Sequence, residues 1–357
     1  MMEIFENLKE KVSKEAWKID KNNDMGELLD EIKKSKILGL IIPKEFGGLG
    51  KDYYELCLVA EELGKISAGV AHSIVVHSMA VDCIRMFGND EQKGKFLPKM
   101  TESFATIAIT EGTGGSDVAG AINLKAEKSG DKYILNGSKM LITNGIYSDY
   151  FIVIGRTGEG AKGLTAFIVE KCDGIETKKI EISGMRGSGL ASINFKDVEV
   201  PTDNVLVGEG KGLRVALGTL APNRIPFAAM GLGIAERCLD LAIQRAKTRK
   251  AFGGALADLQ AVQFMLAEIA ADIEALRRLI YGCVKDLDDA NYLGAVCKLK
   301  AAEVAKRAAD IAVEIYGGHG LIIGNPVEMA YRDAKILDIA EGASEIMKLL
   351  IARKILS

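Results

Sequence analysis

The sequence predicts an α+β multidomain protein with an N-terminal helical domain, a central antiparallel β-barrel or sandwich domain and a C-terminal four-helix bundle. Glycine and proline usage is the first observation behind this prediction. Of 39 glycines, 19 lie between Gly112 and Gly218, and the six prolines leave residues 227–325 free. Glycine favours turns, and proline interrupts helices. The second observation is the hydrophobic periodicity, which changes from helical to strand-like and back along the chain.

The first predicted domain, residues 1–104, is helical. Its apolar residues recur at the spacing of one helix face. Two such segments contain Leu28, Leu29, Ile32 and Ile37, and then Leu56, Val59, Leu63 and Ile66. A glycine-rich break at residues 46–50 predicts a turn between them. We therefore expect several short helices in this domain.

The second predicted domain, residues 105–206, is built from strands. Runs of β-branched and aromatic residues, bounded by Gly, Asn, Asp or Ser, predict strands at about residues 104–110, 133–136, 150–155, 164–170 and 193–200. Ser129-Gly130-Asp131 predicts a hairpin turn. Parallel pairs need long crossovers and no helix is predicted between these strands, so we expect an antiparallel barrel or sandwich.

The third predicted domain, residues 207–357, returns to the helical period. Good helix formers fill residues 227–249, 256–287, 291–316 and 343–356. Long amphipathic segments with short connections are typical of a helix bundle. The expected order is therefore helices, then a β-domain, then a four-helix bundle.

Charge and cysteine content restrict the function classes. The 46 Lys and Arg residues nearly balance the 49 Asp and Glu residues, for a net charge of −3, so neither nucleic acid nor a membrane is an expected partner. The six cysteines lack CxxC spacing, which predicts buried free thiols in a reducing compartment and no metal site. The first residues do not resemble a signal or transit peptide, and no apolar run approaches the roughly 20 residues of a membrane span. We expect a cytoplasmic protein.

Several common catalytic motifs are disfavoured. The chain has three histidines, His72, His77 and His319, and no GxSxG elbow, so a Ser-His-Asp hydrolase is not indicated. His72 and His77 are expected to be polar residues of a helix surface or core rather than catalysts. The glycines of residues 208–212 lack the P-loop spacing, and those of residues 231–233 open no strand-turn-helix unit, which disfavours a Walker or Rossmann site.

Three segments carry candidate chemistry. Residues 108–117 lead from a predicted strand into a glycine loop whose N–H groups can hold a phosphate or a planar heterocycle. The alternative is a rim turn capped by Ser116 and Asp117. Thr143 lies near the end of the strand-like run 136–145, where a threonine can also simply support a turn. Glu341 would be a stronger base in an apolar cleft, whereas otherwise it is an acid favoured by the dipole of the last helix.

Six short motifs occur in order along the chain. They are Thr110-Glu111-x-x-x-Gly115-Ser116-Asp117, Gly137-x-Lys139-x-x-Ile142-Thr143-Asn144, Phe195-x-Asp197-Val198-x-Val200-Pro201, Arg249-x-x-Phe252-Gly253, Gly317-Gly318-x-Gly320 and Glu341-Gly342-x-Ser344-Glu345-Ile346. This series resembles that of the acyl-CoA dehydrogenases, with the short- and medium-chain members nearest. The resemblance covers nearly the whole chain. Each motif alone is moderately specific, but six at compatible spacing are hard to obtain by chance.

The resemblance implies that FAD binds between the β-domain and the bundle. Thr143 matches the hydroxyl that bonds flavin N5, and Ser116 matches a residue near the pyrophosphate. Other FAD-contacting positions implied by the resemblance are Ile107, Ile109, Thr110, Leu141, Ala343 and Glu345.

The resemblance also implies a reaction, the conversion of a short- to medium-chain acyl-CoA to the trans-2-enoyl-CoA. Glu341 matches the base that removes the α-proton while the β-hydrogen leaves as hydride to flavin N5. Some relatives carry the base just before the bundle arginine, where this chain has Asn223, so the role is assigned to Glu341. The backbone N–H of the base and a ribityl hydroxyl polarise the thioester carbonyl in this family. The implied substrate-binding residues are Ser116, Arg224, Val75 and Gly342.

The resemblance implies an assembly and partners as well. Arg249, Phe252, Gly317 and Gly318 match residues that reach the FAD of a neighbouring subunit, so a homotetramer built as a dimer of dimers is expected. Electron-transferring flavoprotein usually reoxidises the flavin of this family. The expected partners are therefore that flavoprotein and acyl-CoA or another acyl thioester.

Five positions depart from the family pattern and leave alternatives open. Leu141 replaces a tryptophan, Glu314 a glutamine, Ala343 a threonine, Ala340 an aromatic residue and Gly112 a proline. A carboxylate near a pyrophosphate is repulsive, so one alternative is a subunit that binds FAD poorly and serves as a binding or structural partner. Another alternative is an oxidase of the same fold or a dehydrogenase of acyl groups held on a carrier protein.

Overall fold

The N-terminal part of the chain is helical, as expected. The computed structural model describes residues 2–357, and side chains from residue 5 onwards. The helices here are α1 (Met2–Asn22), α2 (Leu28–Lys34), α3 (Tyr53–Ile66), α4 (Ala68–Phe87) and α5 (Asp90–Phe96). A capping box starts α3, because the Asp52 carboxylate accepts from the first-turn N–H groups while Glu55 accepts from the N–H of Asp52.

Helix α4 is the central helix of this part of the fold. Every residue from Ala68 to Ile84 is buried, and α4 packs on α3, α7 and the first strand of the sheet. By length and composition α4 could cross a membrane, which the sequence analysis did not anticipate, but 83% of its apolar window is buried inside the protein. That burial is typical of a core helix.

A seven-stranded sheet forms the middle of the chain. Its elements are β1 (Ala105–Ala108), the short helix α6 (Val118–Ala121), β2 (Lys125–Ser129), β3 (Lys132–Ile142), β4 (Tyr150–Arg156), β5 (Leu164–Glu170), β6 (Ile175–Lys179) and β7 (Ala191–Pro201). The strand order is β1-β4-β2-β3-β7-β6, with β5 paired to β4. The predicted turn at residues 129–131 joins β2 to β3, which pair antiparallel.

The sheet differs from the expectation in two ways. Strands β2 and β6 were not predicted, because β2 buries one residue of five and has no apolar alternation to detect. Pairing is mainly antiparallel, but β1 lies parallel to β4 over four residue pairs. The β2–β3 hairpin lies between β1 and β4 in the chain and so supplies the long crossover that a parallel pair needs.

The C-terminal part is a helical bundle. Its elements are α7 (Gly212–Thr248), a two-residue hairpin of β8 (Lys250–Ala251) and β9 (Gly254–Ala255), α8 (Gln260–Cys283), α9 (Ala290–Tyr316), α10 (Pro326–Ile336) and α11 (Ser344–Leu356). The four expected helices are present, and α10 is an additional one. Its Asp333 carboxylate accepts a hydrogen bond from the N–H of Met185, which ties the bundle to a loop of the β-domain.

Helix α7 begins well before the predicted start at residue 227. It continues through Pro222 and Pro226, although each proline removes a helical hydrogen bond and costs about 3 kcal/mol. Tertiary packing overcomes this cost, because α7 is buried continuously from Ala221 to Glu236. Its approach to α3 is close: a Cβ on Gly233 would lie 2.1 Å from the carbonyl oxygen of Glu61.

The cysteines only partly match the expectation of buried thiols. All six are free, and Cys57, Cys83, Cys238 and Cys297 are buried. Cys283 is half-buried and Cys172 is exposed, so the prediction was wrong for these two. Cys172 follows β5 at the edge of the sheet, where the chain turns towards solvent.

His77 connects three segments of the N-terminal region in its neutral form. The N–H of Ala105 donates to its Nδ1 at 3.0 Å, so the ring hydrogen is on Nε2, which donates to the carbonyl of Leu38 at 2.9 Å. Burial lowers the pKa of His77 to about 4, although backbone contacts oppose the shift. His77 is therefore a core polar residue, one of the two possibilities expected for it.

Asn144 joins the β-domain to the helical domain. Its fully buried amide donates from Nδ2 to the carbonyl of Ser73 on α4 at 2.8 Å, and its Oδ1 accepts from the Ser73 hydroxyl. The backbone N–H of Asn144 donates to the carbonyl of Ser188 at 2.9 Å. One side chain therefore positions the end of β3 against α4.

We expect Asn144→Ala to destabilise the protein by about 2–4 kcal/mol, because buried partners on α4 lose their hydrogen bonds. The measurement is the midpoint of thermal unfolding. Asn136→Ala is the matched control: Asn136 lies in β3 and exchanges hydrogen bonds with Asp197, but it is exposed, so water can replace those bonds and the loss should be less than about 1 kcal/mol. Equal effects of the two substitutions would contradict the assignment.

We expect the protein to lose stability as the pH falls from about 6.5 to about 4, because the unfolded chain binds a proton that folded His77 excludes. The shift of His77 corresponds to at most about 3 kcal/mol. The measurement is the unfolding midpoint of the wild type and of His77→Gln across this pH range. The difference between the two curves gives the contribution of His77, since the other titrating groups contribute equally to both proteins. Parallel curves for the two proteins would rule it out.

Candidate active site

Two consecutive residues of α4 contact the two segments that the sequence singled out. Ser73 exchanges hydrogen bonds with Asn144, the neighbour of Thr143. The Nε2 of His72 lies 3.8 Å from Oε1 of Glu341. Segments more than a hundred residues apart in the chain therefore meet the same turn of α4.

The backbone around Glu341 is held in an unusual conformation. Glu341 has φ 58° and Gly342 has φ 102°, and the first of these is uncommon for a residue with a side chain. Nε of Arg224 donates to the carbonyl of Glu341 at 3.4 Å, and Nζ of Lys298 donates to the carbonyl of Gly342. Among the described residues, the N–H of Glu341 has no acceptor. Two cations therefore bind the carbonyls of this loop and leave that N–H free.

Burial governs the charges beside Glu341. It lowers the pKa of Arg224, against the attraction of the Glu341 carboxylate, and it lowers the pKa of Lys298 to about 8, against Asp338 and Glu341. Burial alone would raise the pKa of Asp338, but hydrogen bonds from Lys306, Lys335 and Ser344 outweigh it and bring the pKa to about 2. A buried cation that is only partly compensated can stabilise negative charge that develops nearby.

Thr143 lies at the end of the sheet that faces α4. The Thr106 hydroxyl donates to the carbonyl of Thr143 at 2.7 Å, whereas the hydroxyl of Thr143 has no protein partner within the described chain. Ile107 and Ile109 are half-buried, while Ala105, Thr106 and Ala108 of β1 are buried. One face of β1 is therefore covered by the protein, and the other is left partly open.

Leu141 lies beside this open face and departs from ordinary strand geometry. Its φ is 58° and 53% of its surface is exposed, and the neighbouring Met140 is also exposed. The N–H of Met140 donates to the carbonyl of Thr110 at 2.9 Å, so the end of β3 is held against the half-buried Thr110. A planar, partly apolar group could cover these apolar side chains.

Lys139 and Glu111 form a buried ion pair that sequence reasoning missed. Nζ of Lys139 lies 2.8 Å from Oε1 of Glu111 and also donates to the carbonyl of Ile109. Glu111 in turn accepts from the N–H groups of Asn123 and Leu124. Burial lowers the pKa of Lys139 to about 8, although Glu111 opposes the shift. The signal was available, because strand alternation from Tyr133 places residue 139 on the inward face.

The glycine loop is open to solvent. Together with Asn123 it lines a pocket of about 500 Å³ that includes Ser116 and Asp117. Asp117 caps the loop by accepting from the N–H of Gly120 at 3.0 Å, as the rim-turn alternative expects. Ser116 is exposed and remains available to a ligand.

The predicted substrate-binding residues lie on the helical side of the site. Val75 and Arg224 are buried on α4 and α7, and Gly342 is half-buried. Asn223 cannot replace Glu341 as the base, because its side chain is an amide. Its Nδ2 donates to Asp82 and to the carbonyl of Thr219.

The remaining predicted contacts lie on the surface of the bundle. Phe252 is 91% exposed, with φ 53°. The other exposed positions of this set are Arg249, Gly317, Gly318, Glu314 and Glu345, with Ala343 half-buried. Across the described chain, none of them forms a hydrogen bond or ion pair with Thr143, Ser116 or Glu341. Arg249, Phe252, Gly317 and Gly318 are exposed, as contacts made to a neighbouring subunit require, whereas Ala343 and Glu345 lie within four residues of Glu341 in the chain.

Family models match almost the whole chain. The N-terminal domain of acyl-CoA dehydrogenase matches residues 3–103, its middle domain residues 106–198 and its C-terminal domain residues 210–356.

Individual relatives agree with these matches. An acyl-CoA dehydrogenase of Bacillus subtilis is 38% identical over 344 residues, which cover 92% of this chain and 89% of the relative. Butyryl-CoA dehydrogenase from Megasphaera elsdenii has a solved structure that superposes with a TM-score of 0.95 at 34% identity, covering 99% of this chain and 97% of that chain. The prolyl acyl carrier protein oxidase AnaB superposes with a TM-score of 0.89 at 28% identity, covering 98% of each chain.

We expect Gly342→Ala to lower the midpoint of thermal unfolding, because the fully buried side chain of Met347 has to move. An added Cβ would lie 2.7 Å from Cε of Met347, at a backbone φ that disfavours side chains. Gly208→Ala is the matched control, because Gly208 has a similar φ of 95° with open space around it. The loss for Gly342→Ala should exceed that of the control by about 1 kcal/mol, and an equal loss would show that packing at the loop is unimportant.

Proposed function

The chain belongs to the acyl-CoA dehydrogenase family of oxidoreductases, and from that premise we propose that it dehydrogenates a short- to medium-chain acyl thioester between the α and β carbons. Glu341 is the base that removes the α-proton, and FAD, held by the residues described below, would supply the hydride acceptor for the β-hydrogen. The observation that carries this proposal is the meeting of the Thr143 and Glu341 segments on one turn of α4 through Ser73 and His72.

Glu341 needs help from its own loop to act as a base. A thioester α-proton is too weakly acidic for a carboxylate unless the carbonyl is polarised. The free N–H of Glu341 is a donor for the thioester oxygen, because Arg224 and Lys298 bind the loop carbonyls and fix the direction of the peptide groups. Donors held in a buried site stabilise developing charge without reorganisation.

Several features of this chain fit FAD. The unpartnered hydroxyl of Thr143, the open side of β1 and the exposed Leu141 suit a planar ring, and the glycine loop offers N–H groups to phosphate. Bound FAD would supply the hydride acceptor. Ile107, Ile109 and Thr110 would hold the ring, and Ser116 would hold the pyrophosphate. Glu314 is exposed at the end of α9, so in an assembly its carboxylate would face a neighbouring subunit's cofactor and would repel the pyrophosphate there unless a cation intervenes.

The acyl group would lie beside α4 and α7. Val75 and Phe227 are fully buried on these helices, and their apolar side chains suit a short or medium hydrocarbon chain. Arg224 and Gly342 would position the thioester end next to Glu341.

The proposed assembly is a homotetramer in the cytoplasm, with electron-transferring flavoprotein as the electron acceptor. Large apolar side chains on the bundle surface support association, since monomers rarely expose such groups together. They include Phe252, Leu321, Ile322 and Ile323. In the tetramer Arg249, Phe252, Gly317 and Gly318 would contact a neighbouring subunit's FAD.

A carrier-linked reaction is the second candidate. The observation that favours it is the superposition on the prolyl acyl carrier protein oxidase over 98% of each chain. Turnover with butyryl-CoA against the same acyl group on a carrier protein separates the two substrates, and turnover with oxygen against flavoprotein separates the two acceptors.

We expect the purified protein to show a flavin absorption band that butyryl-CoA bleaches. Glu341→Gln should keep the band and lose turnover by a factor on the order of 10³ or more, because the α-proton has no other acceptor. Glu303→Gln is the control, since Glu303 is exposed on α9, and it should bleach normally. A colourless protein would support the FAD-poor alternative. Bleaching that survives Glu341→Gln, or a preference for palmitoyl-CoA over butyryl-CoA and octanoyl-CoA, would contradict the proposal.

A further inference from the structure

His72 is a buried histidine with no hydrogen-bond partner for Nε2 among the described residues. It is 5% exposed and belongs to the most buried helix of the protein. His77, five residues further along α4, differs in this respect, because both of its ring nitrogens have partners. An unsatisfied buried donor costs about 1–3 kcal/mol, so its presence in the core needs a physical reason.

The ring of His72 is placed between a base and an aromatic side chain. Its Nε2 lies 3.8 Å from Oε1 of Glu341, about 1 Å beyond an ordinary N–H···O hydrogen bond. The ring centroid lies 5.5 Å from that of Phe227, at an interplanar angle of 60°. The imidazole therefore has an aromatic ring as one neighbour and the carboxylate of Glu341 as another, just beyond hydrogen-bond distance.

No other side chain competes for this role in the described part of the chain. Arg224 of α7 and Lys298 of α9 are the charged groups nearest Glu341, and both donate to backbone carbonyls of its loop. Asp338 and Glu345, on the α11 side, act on Lys298. Among the described residues, His72 is therefore the one nitrogen-bearing side chain that faces the carboxylate itself.

We propose that His72 is a positioning residue for Glu341: it donates from Nε2–H when the carboxylate turns towards it, holds the carboxylate beside α4, and releases it towards the substrate. The effect of His72 on catalysis rests on the proposed function. The coupling between the two side chains is a property of the chain alone. A hydrogen bond to the charged form of an acid favours that form, and a carboxylate held by one flexible contact can turn to the α-carbon.

The first test measures the coupling without activity. The chain has three histidines, so protein labelled with ¹³C at histidine Cε1 gives three NMR signals that single variants assign. Glu341→Gln should shift the His72 signal at neutral pH by more than either other histidine signal, because a neutral amide replaces the negative charge 3.8 Å from Nε2. Buried His77 and exposed His319 are internal controls and should not move.

The second test uses acyl-CoA turnover with His72→Gln and His72→Leu. Gln keeps an N–H donor of similar reach, whereas Leu keeps volume without a donor. In His72→Leu the acid limb of the kcat pH profile should move to higher pH by about 0.5–1 unit, since protonation of the base becomes easier when a donor to its charged form is lost. We expect kcat at neutral pH to fall about 5- to 10-fold in His72→Leu with KM nearly unchanged, and substantial rescue in His72→Gln.

The outcomes separate this inference from the proposed function. An unchanged His72 signal in Glu341→Gln overturns the inference, whatever the enzyme does with acyl-CoA. Equal kinetic losses in His72→Gln and His72→Leu, with an unchanged acid limb, also overturn it and indicate a packing role. A shifted His72 signal in a protein that does not oxidise acyl thioesters supports the coupling and contradicts the proposed reaction.

Discussion

The hydrogen bonds of the Asn144 amide with Ser73 are the contact on which the site depends. They fix the last residues of β3 against α4 in a fully buried setting, where a lost partner cannot be replaced by water. Because His72 precedes Ser73, the same helical turn also faces Glu341. The position of Thr143 relative to Glu341 is therefore set by one turn of a core helix rather than by either loop alone.

On the opposite side of the site, two buried cations hold the loop that carries Glu341. Arg224 and Lys298 are placed in the protein interior, which lowers the pKa of each, and they donate to the carbonyls of Glu341 and Gly342. The positive φ of both loop residues is maintained by these contacts. Rigid peptide N–H groups and nearby cations can polarise the carbonyl of an acyl thioester. The contacts that hold the unusual backbone conformation of the loop are therefore the same ones that would support the proposed chemistry.

Much of this architecture could be predicted from the sequence, and the errors have physical causes. The helices α8, α9 and α11 were predicted because good helix formers fill them and no proline interrupts them. Strand β2 was missed because its side chains are mostly polar and exposed. The start of α7 was placed too late because Pro222 and Pro226 signal a break that tertiary packing overrides. The Lys139–Glu111 pair was missed because strand alternation marks residue 139 as inward but does not identify Glu111 as its partner.

The sequence by itself determined the three-part order of the chain, the family and the candidate residues, because periodicity and motif order are local properties that survive without coordinates. Only the tertiary structure decided which of these residues meet. The contact of His72 with Glu341 joins residues more than two hundred and fifty positions apart, and that of Ser73 with Asn144 joins residues 71 positions apart. Contacts at such separation depend on how α4 packs between the sheet and the bundle, which no spacing in the sequence encodes.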